Sequence, residues 1–403
     1  MMDCLPTERS DSTDPRTGCP VIQWTRTGPK NQHLYFTTPS VTADDRYLVF
    51  LSERTGHPNL YAIHRPDGSI RPLSSNRLGL LLSYVYPRGG SQGLSKASPC
   101  LDAVRNVVYW IENSAVWSAR LDSPTAAPER LCSIPEAWVT AFTHVSADGR
   151  WLAVPCSSLE AFVDPADGQG EQMWRVMARF YGGRCRSRIL RICTQTGRWE
   201  TWASVPFWVT HVQFDPARSD RLIFNKEGHG YTIDQRIWCL EPDGSCRPLF
   251  RQADDEWTCH ENFAPDGQSV VYHGARSGRH FMAARRWDGS CVREIGLDVP
   301  LDGHVTPGAA EAEFITDGLD GCISRVRIAE GRVCMALVCR HGSSAAEQDS
   351  HVHPLLTPDG LGVVFTSDRS GQCNVYEARL GSQPPGTAAG RAESGGRSAD
   401  LEK

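Results

Sequence analysis

The segment TADDRYLVFLS at residues 42–52, followed by GHPNLYAI at residues 56–63, is the clearest copy of a unit that recurs along the chain. A polar turn leads into one short apolar segment, and a second apolar segment follows after a few polar residues. Pro66-Asp67-Gly68 then supplies a turn of the kind that closes a β-hairpin. The unit therefore predicts short antiparallel strands joined by tight turns.

The same unit returns six more times along the chain. The further copies cover residues 102–119, 147–154 together with 189–193, 215–240, 265–272, 313–326 and 358–376. Repeats of roughly 45 to 55 residues, each with four short strands, are typical of a β-propeller. We therefore predict an all-β fold, a seven-bladed β-propeller over residues 21–380. A pair of β-sandwiches is the alternative.

Three segments do not fit the repeat. Residues 1–20 are polar, and we expect them to be a flexible N-terminal segment. Residues 381–403 are rich in Gly, Ser, Ala and Pro, which predicts a disordered tail. Residues 157–186 interrupt the third unit, and residues 173–181 within them suit a short helix over one face of the propeller.

The composition argues against several classes of function. The 403-residue chain has a net charge of −5 at pH 7, so no broad basic face for nucleic acid is indicated. The longest apolar run, residues 78–86, is too short to span a bilayer, and the N-terminus lacks the apolar core of a signal peptide. The 15 cysteines contain no C-x-x-C pair and are expected to be reduced thiols. We expect a cytoplasmic protein.

Many of the thirteen histidines precede the first strand of a predicted unit. That strand lines the central channel of a propeller, so these side chains would converge at one mouth of the channel. For any single histidine a structural role is the alternative, whereas convergence from separate chain segments is typical of metal binding. The set comprises His33, His144, His211, His260, His304, His351 and His353.

The last of these positions has the sequence QDSHVHP at residues 348–354. Residues two apart in an extended segment project to the same side, so His351 and His353 can point together. Gln348 can join them if the chain bends in between. These three side chains form a candidate open metal site, and a polar loop is the alternative. Because the ligands are neutral, a divalent ion would keep nearly its full charge and favour an anionic oxygen, such as a substrate carboxylate.

An arginine lies close to a tryptophan in the fourth unit, where residues 234–238 are DQRIW. Arg236 is either a surface residue on a strand or a guanidinium that binds a carboxylate. The sequence contains neither a P-loop motif nor a dinucleotide-binding fingerprint, which argues against nucleotide chemistry.

Together these motifs resemble those of the oligogalacturonate lyases, polysaccharide lyase family 22. The resemblance covers roughly residues 20–380. It rests on Gln348-x-x-His351-x-His353-Pro354 before a Pro-Asp turn and VFTSD, on HENFAPDG at residues 260–267, on Asp234-x-Arg236-x-Trp238 and on Glu227-Gly228. Lys226 departs from the pattern, because relatives often have His there.

The resemblance implies a seven-bladed propeller that holds a manganese ion, with other divalent metals as alternatives. It implies His260 as the Brønsted base, and Arg236 as the contact to the substrate carboxylate or the transition state. It also implies His211 as a substrate contact at the channel mouth. The metal ligands implied are His304, Gln348, His351 and His353.

The implied function is metal-dependent β-elimination on short, digalacturonate-like oligogalacturonates. The products would be unsaturated or 4-deoxy-5-keto uronates in pectin catabolism. The expected partner is a small acidic oligosaccharide, with no nucleic acid and no membrane. Two alternatives stay open: a non-enzymatic propeller that serves as a binding scaffold, and a related lyase that acts on another uronate.

Overall fold

Seven antiparallel sheets of four or five strands form the fold in a computed structural model of the chain. The sheets follow one another along the sequence and pack side by side around a central channel, as in the predicted seven-bladed β-propeller. The structure describes residues 4–86, 88–123, 125–162, 169–228, 230–265, 267–298, 300–301, 303–310, 313–329 and 332–381. The predicted disordered tail lies outside them from residue 382 onward.

The first half of the chain supplies the N-terminal strands and three blades. The N-terminal strands are β1 (Ser10–Thr13) and β2 (Pro20–Gln23). Blade one contains β3 (Asn31–His33), β4 (Tyr47–Ser52), β5 (Asn59–His64) and β6 (Ile70–Pro72). Blade two contains β7 (Cys100–Asp102), β8 (Val107–Glu112), β9 (Ala115–Arg120) and β10 (Glu129–Ser133). Blade three contains β11 (Trp138–Thr140), β12 (His144–Val145), β13 (Trp151–Ser158), β14 (Ser187–Cys193) and β15 (Trp199–Val205), and β11 and β12 both pair with β13.

The second half supplies blades four to seven. Blade four contains β16 (Val212–Asp215), β17 (Arg218–Asn225), β18 (Ile237–Leu240) and β19 (Cys246–Pro248). Blade five contains β20 (Glu256–Phe263), β21 (Val270–Arg276), β22 (Arg279–Arg285) and β23 (Cys291–Gly296). Blade six contains β24 (Val305–Pro307), β25 (Glu313–Leu319), β26 (Cys322–Ala329) and β27 (Arg332–Arg340). Blade seven contains β28 (Leu355–Leu356), β29 (Gly362–Ser367) and β30 (Asn374–Arg379).

The recurring Asp of the repeat has a structural explanation. In blade three, the hydroxyl of Ser146 donates to Asp148 at 2.6 Å, and the amide of Arg150 donates to the same carboxylate at 3.1 Å. In blade seven, the hydroxyl of Thr357 makes the same bond to Asp359. These bonds fix the turn between the first and second strands, because Asp readily bonds its own backbone two residues on.

The N-terminus closes the ring. Strand β2 pairs with β30 of blade seven, with Val21 opposite Ala378, and β1 forms the outer edge of the same sheet. Blade seven therefore contains strands from both ends of the propeller. The prediction placed residues 1–20 outside the propeller as a flexible segment, but Ser10–Thr13 is a strand of this blade.

Apolar side chains fill the spaces between neighbouring blades. Leu51 and Leu60 of blade one pack with Val108 and Trp110 of blade two, and all four are buried. Fully burying such side chains contributes about 1.5–3 kcal/mol each. Stability therefore comes from the interfaces between sheets, which leaves polar side chains free to line the channel.

The insertion in blade three forms a short 3-10 helix, Leu159–Phe162, and the helix α1, Gln169–Tyr181. Val176, Met177 and Phe180 are buried against Trp208, which itself contacts Tyr84 at the channel mouth. The predicted short helix over one face is present, and it lies beside the channel. No helix in the described ranges is long and apolar enough to cross a membrane.

Candidate metal centre and active site

Three histidines from blades six and seven meet at the channel mouth. His304 directly precedes β24, and His351 and His353 precede β28. One ligand atom from each lies within 4.8 Å of the others. The ring centroids of His304 and His353 are 4.3 Å apart, and those of His351 and His353 are 5.6 Å apart. The structure thus brings together the three histidines that the sequence proposed as ligands.

His353 has an unusual backbone conformation and an unsatisfied ring nitrogen. Its φ of +48° lies in the left-handed region, which costs a non-glycine residue on the order of 1 kcal/mol. Its Nε2 is buried and has no hydrogen-bond partner among the residues that the structure describes. A buried polar atom without a partner is costly, so this nitrogen is suited to a ligand.

A carboxylate orients His304. Its Nδ1 lies 3.0 Å from Oδ2 of Asp317, and its backbone amide donates to the other oxygen of the same carboxylate at 2.5 Å. With Nδ1 engaged, Nε2 remains for a metal, which is the usual arrangement of metal-binding histidines. Asp317 could not be identified from the sequence, because its place on β25 beside His304 depends on strand pairing.

Gln348 lies in a short 3-10 helix, Gln348–Ser350, and lines the same small cavity as His351 and His353. The neighbouring Asp349 is buried and accepts from Lys30 at 2.7 Å and also from Lys96. These two lysines anchor the segment between Gln348 and the histidines. Neither was identified from the sequence, which offers no spacing that links them to residue 349.

The donor set suits a divalent metal ion. Burial lowers the pKa of His351 to about 4 and, together with the neighbouring His304, the pKa of His353 well below its usual range. Both imidazoles are therefore neutral near pH 7, as metal ligation requires. Imidazole nitrogens with a carboxamide oxygen suit first-row divalent ions.

His260 lies beside this cluster. Its ring centroid is 4.5 Å from that of His304, and a β-bulge between Cys259 and Asn262 gives it a φ of +54°. Burial, with a further contribution from His304, holds its pKa well below the usual range. A neutral imidazole is therefore available next to the proposed metal ligands. This imidazole could accept a proton from a molecule bound beside the histidine cluster.

Arg236 is buried, which excludes the alternative of a surface arginine. Its Nε donates to Glu261 at 3.0 Å, and its Nη1 lies 3.5 Å from Glu227. Burial alone would raise the pKa of Glu261, but Arg236, His211 and a backbone hydrogen bond together outweigh burial and lower this pKa to about 2. Both glutamates were missed as partners of Arg236, although the sequence motifs contained them.

His211 lies at the same mouth, next to this ion-pair network. Its Nε2 is 3.0 Å from the hydroxyl of Tyr35, and its Nδ1 is 3.6 Å from Oε1 of Glu261. The ring of Phe142 lies 5.2 Å away. His211 is thus next to the partner of Arg236, in the area where a substrate contact was expected.

The two remaining histidines of the set, His33 and His144, make hydrogen bonds to the surrounding fold. The ring nitrogens of His33 lie 3.0 Å from the hydroxyl of Ser40 and 3.2 Å from the carbonyl of Val352. Nδ1 of His144 accepts from the amide of Phe214 at 3.2 Å. These contacts give each of the two histidines a structural role at the repeated position.

The chain is similar to known proteins both in sequence and in fold. A sequence model of the oligogalacturonate lyase family matches residues 94–297. The oligogalacturonide lyase of Pectobacterium atrosepticum is 23% identical over 390 residues, which cover 91% of this chain and 95% of the relative. The oligogalacturonate lyase of Dickeya dadantii is 24% identical over 308 residues, which cover 68% and 75%.

Solved structures show the same fold. An oligogalacturonate lyase in complex with manganese superposes with a TM-score of 0.80 at 21% identity, covering 94% of this chain and 98% of that one. An oligogalacturonate lyase from Vibrio parahaemolyticus superposes with a TM-score of 0.77 at 19% identity, over 94% and 98%. Since the family model spans half of the chain, this protein belongs to the oligogalacturonate lyase family.

Proposed function

We propose that this protein is a metal-dependent lyase that cleaves short oligogalacturonates, such as digalacturonate, by β-elimination. The observation that carries the proposal is the cluster of His304, His351 and His353, with neutral His260 beside it. Family membership favours an enzyme over a non-enzymatic binding scaffold. Relatives named as oligogalacturonate lyases support the substrate class.

The metal ligands in this proposal are His304, Gln348, His351 and His353. The named complex of a structural relative with manganese supports Mn²⁺ as the ion. When bound, the ion would offset negative charge on the substrate carboxylate. Asp317 keeps His304 oriented, and Lys30 and Lys96 keep the segment around Gln348 in place.

The reaction begins at C5 of the uronate, where the proton is weakly acidic because the carboxylate is attached to the same carbon. Removing this proton builds further negative charge on the carboxyl group. His260, as the neutral base, takes the proton. The electron pair of the C5–H bond becomes the C4–C5 double bond, the C4–O4 bond breaks, and the leaving oxygen takes a proton from solvent.

Arg236 and His211 are the proposed substrate contacts. Preorganised donors aimed at developing charge supply much of an enzyme's rate enhancement. Arg236 is held rigidly by Glu227 and Glu261, so its guanidinium has a fixed direction before substrate arrives. The two carboxylates also offset the positive charge of Arg236, and we therefore expect this residue to contribute mainly orientation and hydrogen bonding.

The products would be a 4,5-unsaturated uronate and its 4-deoxy-5-keto form. We assign the protein to the breakdown of short pectin fragments in the cytoplasm, with a small acidic oligosaccharide as its partner. This placement rests on the substrate class of the named relatives and on cysteines that form no disulfides in the described ranges.

A substrate panel tests this function. Purified protein would be incubated with digalacturonate, trigalacturonate and matched glucuronate and mannuronate oligomers, with Mn²⁺ or with chelator. We expect ultraviolet absorbance from the conjugated product to grow fastest with the galacturonates, and only when metal is present. Growth with another uronate alone would reassign the substrate, and activity unaffected by chelator would contradict the metal-dependent mechanism.

A further inference from the structure

A second histidine pairs with the proposed base. Nδ1 of His260 lies 2.7 Å from Nε2 of His273, and the two ring planes differ by 27°, with centroids 4.9 Å apart. His273 lies in the middle of β21 and is 1% exposed. It did not stand out in the sequence, because it follows an Asp-Gly turn instead of preceding one. His273 therefore connects strand β21 directly to the proposed base, His260.

The backbone builds this contact. Cys259 lies directly opposite His273 in the pairing of β20 with β21. In a regular strand the next residue would point to the other face of the sheet. The bulge after Cys259 and the left-handed conformation of His260 change that direction, so the His260 ring lies against His273. The left-handed backbone of His260 therefore has a specific result, which is the contact between its ring and His273.

The hydrogen bond constrains the protons of both rings. A bond between two neutral imidazoles contains one proton, so one ring donates and the other accepts. If His260 donates from Nδ1, its Nε2 retains the lone pair that a base needs. His273 then accepts at Nε2 and carries its own proton on Nδ1, a buried nitrogen that has no hydrogen-bond partner in the described part of the chain. Burial also lowers the pKa of His273 to about 3, which keeps this ring neutral.

We propose that His273 is a positioning residue that holds His260 as the Nδ1–H tautomer, leaving Nε2 of His260 to take the C5 proton. The inference rests on the proposed function. After proton transfer, the Nδ1–H of the His260 imidazolium still donates to His273. A neutral acceptor also adds no negative charge that would compete with the substrate carboxylate for the metal and Arg236.

The test compares two substitutions of His273 in the full-length, manganese-loaded protein. His273→Phe keeps an aromatic ring but removes the acceptor, while His273→Gln places an amide oxygen near the position of Nε2. We expect His273→Phe to lower kcat about 10- to 100-fold with KM nearly unchanged. We expect His273→Gln to recover much of that loss.

A kinetic isotope effect separates positioning from a structural role. With substrate deuterated at C5, the isotope effect on kcat should be larger in His273→Phe than in the wild type, because proton transfer becomes slower. His280→Phe, on the neighbouring strand β22, is the matched control: the Nδ1 of His280 accepts from the backbone amide of Leu301. We expect its isotope effect to match that of the wild type.

Several outcomes would overturn the inference. Unchanged kcat in His273→Phe would do so, as would equal losses in the Phe and Gln variants. If His273→Phe fails to fold, His273→Leu replaces it and the same comparison with Gln applies. Failure of the proposed function is distinguishable, because the wild type would then show no turnover of any oligogalacturonate.

Discussion

Asp317 contacts His304 twice, through the Nδ1 of its ring at 3.0 Å and through its backbone amide. One carboxylate therefore fixes both the position and the tautomer of the histidine that blade six contributes to the cluster. His351 and His353 lie on the next blade, so the centre spans a blade boundary. The geometry of the centre therefore depends on the groups that hold the histidines of blade six and of blade seven in place.

Removing the charge of Asp317 should weaken metal binding. In Asp317→Asn the amide cannot support the Nδ1–H tautomer as strongly, and we expect the affinity for Mn²⁺ to fall about 10- to 100-fold. Isothermal titration calorimetry measures this directly. Asp220→Asn, which alters an exposed ion pair with Arg218, is the control and should bind metal normally. Wild-type affinity in Asp317→Asn would show that His304 needs no such support.

The two lysines that pair with Asp349, Lys30 and Lys96, should contribute unequally to stability and to metal binding. The Lys96 side chain is 3% exposed and that of Lys30 is 34% exposed. Breaking a buried ion pair leaves an uncompensated charge and costs about 3–5 kcal/mol, whereas exposed pairs contribute about 1 kcal/mol or less. Lys96→Met should therefore destabilise the protein more than Lys30→Met and weaken metal binding more. Urea denaturation and metal titration would test this, and equal losses would contradict it.

The Arg236–Glu261 pair predicts a pH-dependent stability. The folded pKa of Glu261 is about 2, below its ordinary value of 4.5. As the pH falls, Glu261 is protonated in the unfolded chain before it is protonated in the folded protein. The stabilisation that the charged Glu261 gives to the folded protein is therefore present above pH 4.5 and is lost as the pH falls toward 2. It amounts to about 3 kcal/mol at neutral pH.

Urea denaturation of wild type and Glu261→Gln, at several pH values between 3 and 7, measures that contribution. The difference in unfolding free energy should be largest at neutral pH and should narrow below pH 4.5. A difference that stays constant over this range would mean that ionisation of Glu261 does not stabilise the fold.

Closure of the ring by β2 predicts a large effect from a single N-terminal residue. Val21 is 1% exposed and packs in the core of blade seven, opposite Ala378. Val21→Lys would bury a charge there, and we expect it to cost about 3 kcal/mol or more. Thr13→Lys, on the exposed strand β1, should change the free energy of unfolding by about 0.5 kcal/mol or less. Thermal unfolding of both variants compares them, and a stable Val21→Lys protein would contradict closure through β2.

The blades were predictable because their signals are local. The Asp turn and the apolar strands lie within a few residues of each other, and so do His351 and His353. The partners Asp317 and His273 were not predictable, because each reaches its histidine through strand pairing whose register the sequence does not state. Strand β1 was missed for a similar reason, since it belongs to a blade built mostly from the other end of the chain.

In the proposed mechanism, His260 removes the C5 proton while four other side chains hold the metal. The most direct test is the absorbance assay on digalacturonate with manganese-loaded His260→Ala, with metal content measured in the same sample. We predict that absorbance growth is nearly abolished while bound manganese stays at the wild-type level. Turnover close to that of the wild type, with the metal still bound, would show that His260 is not the base.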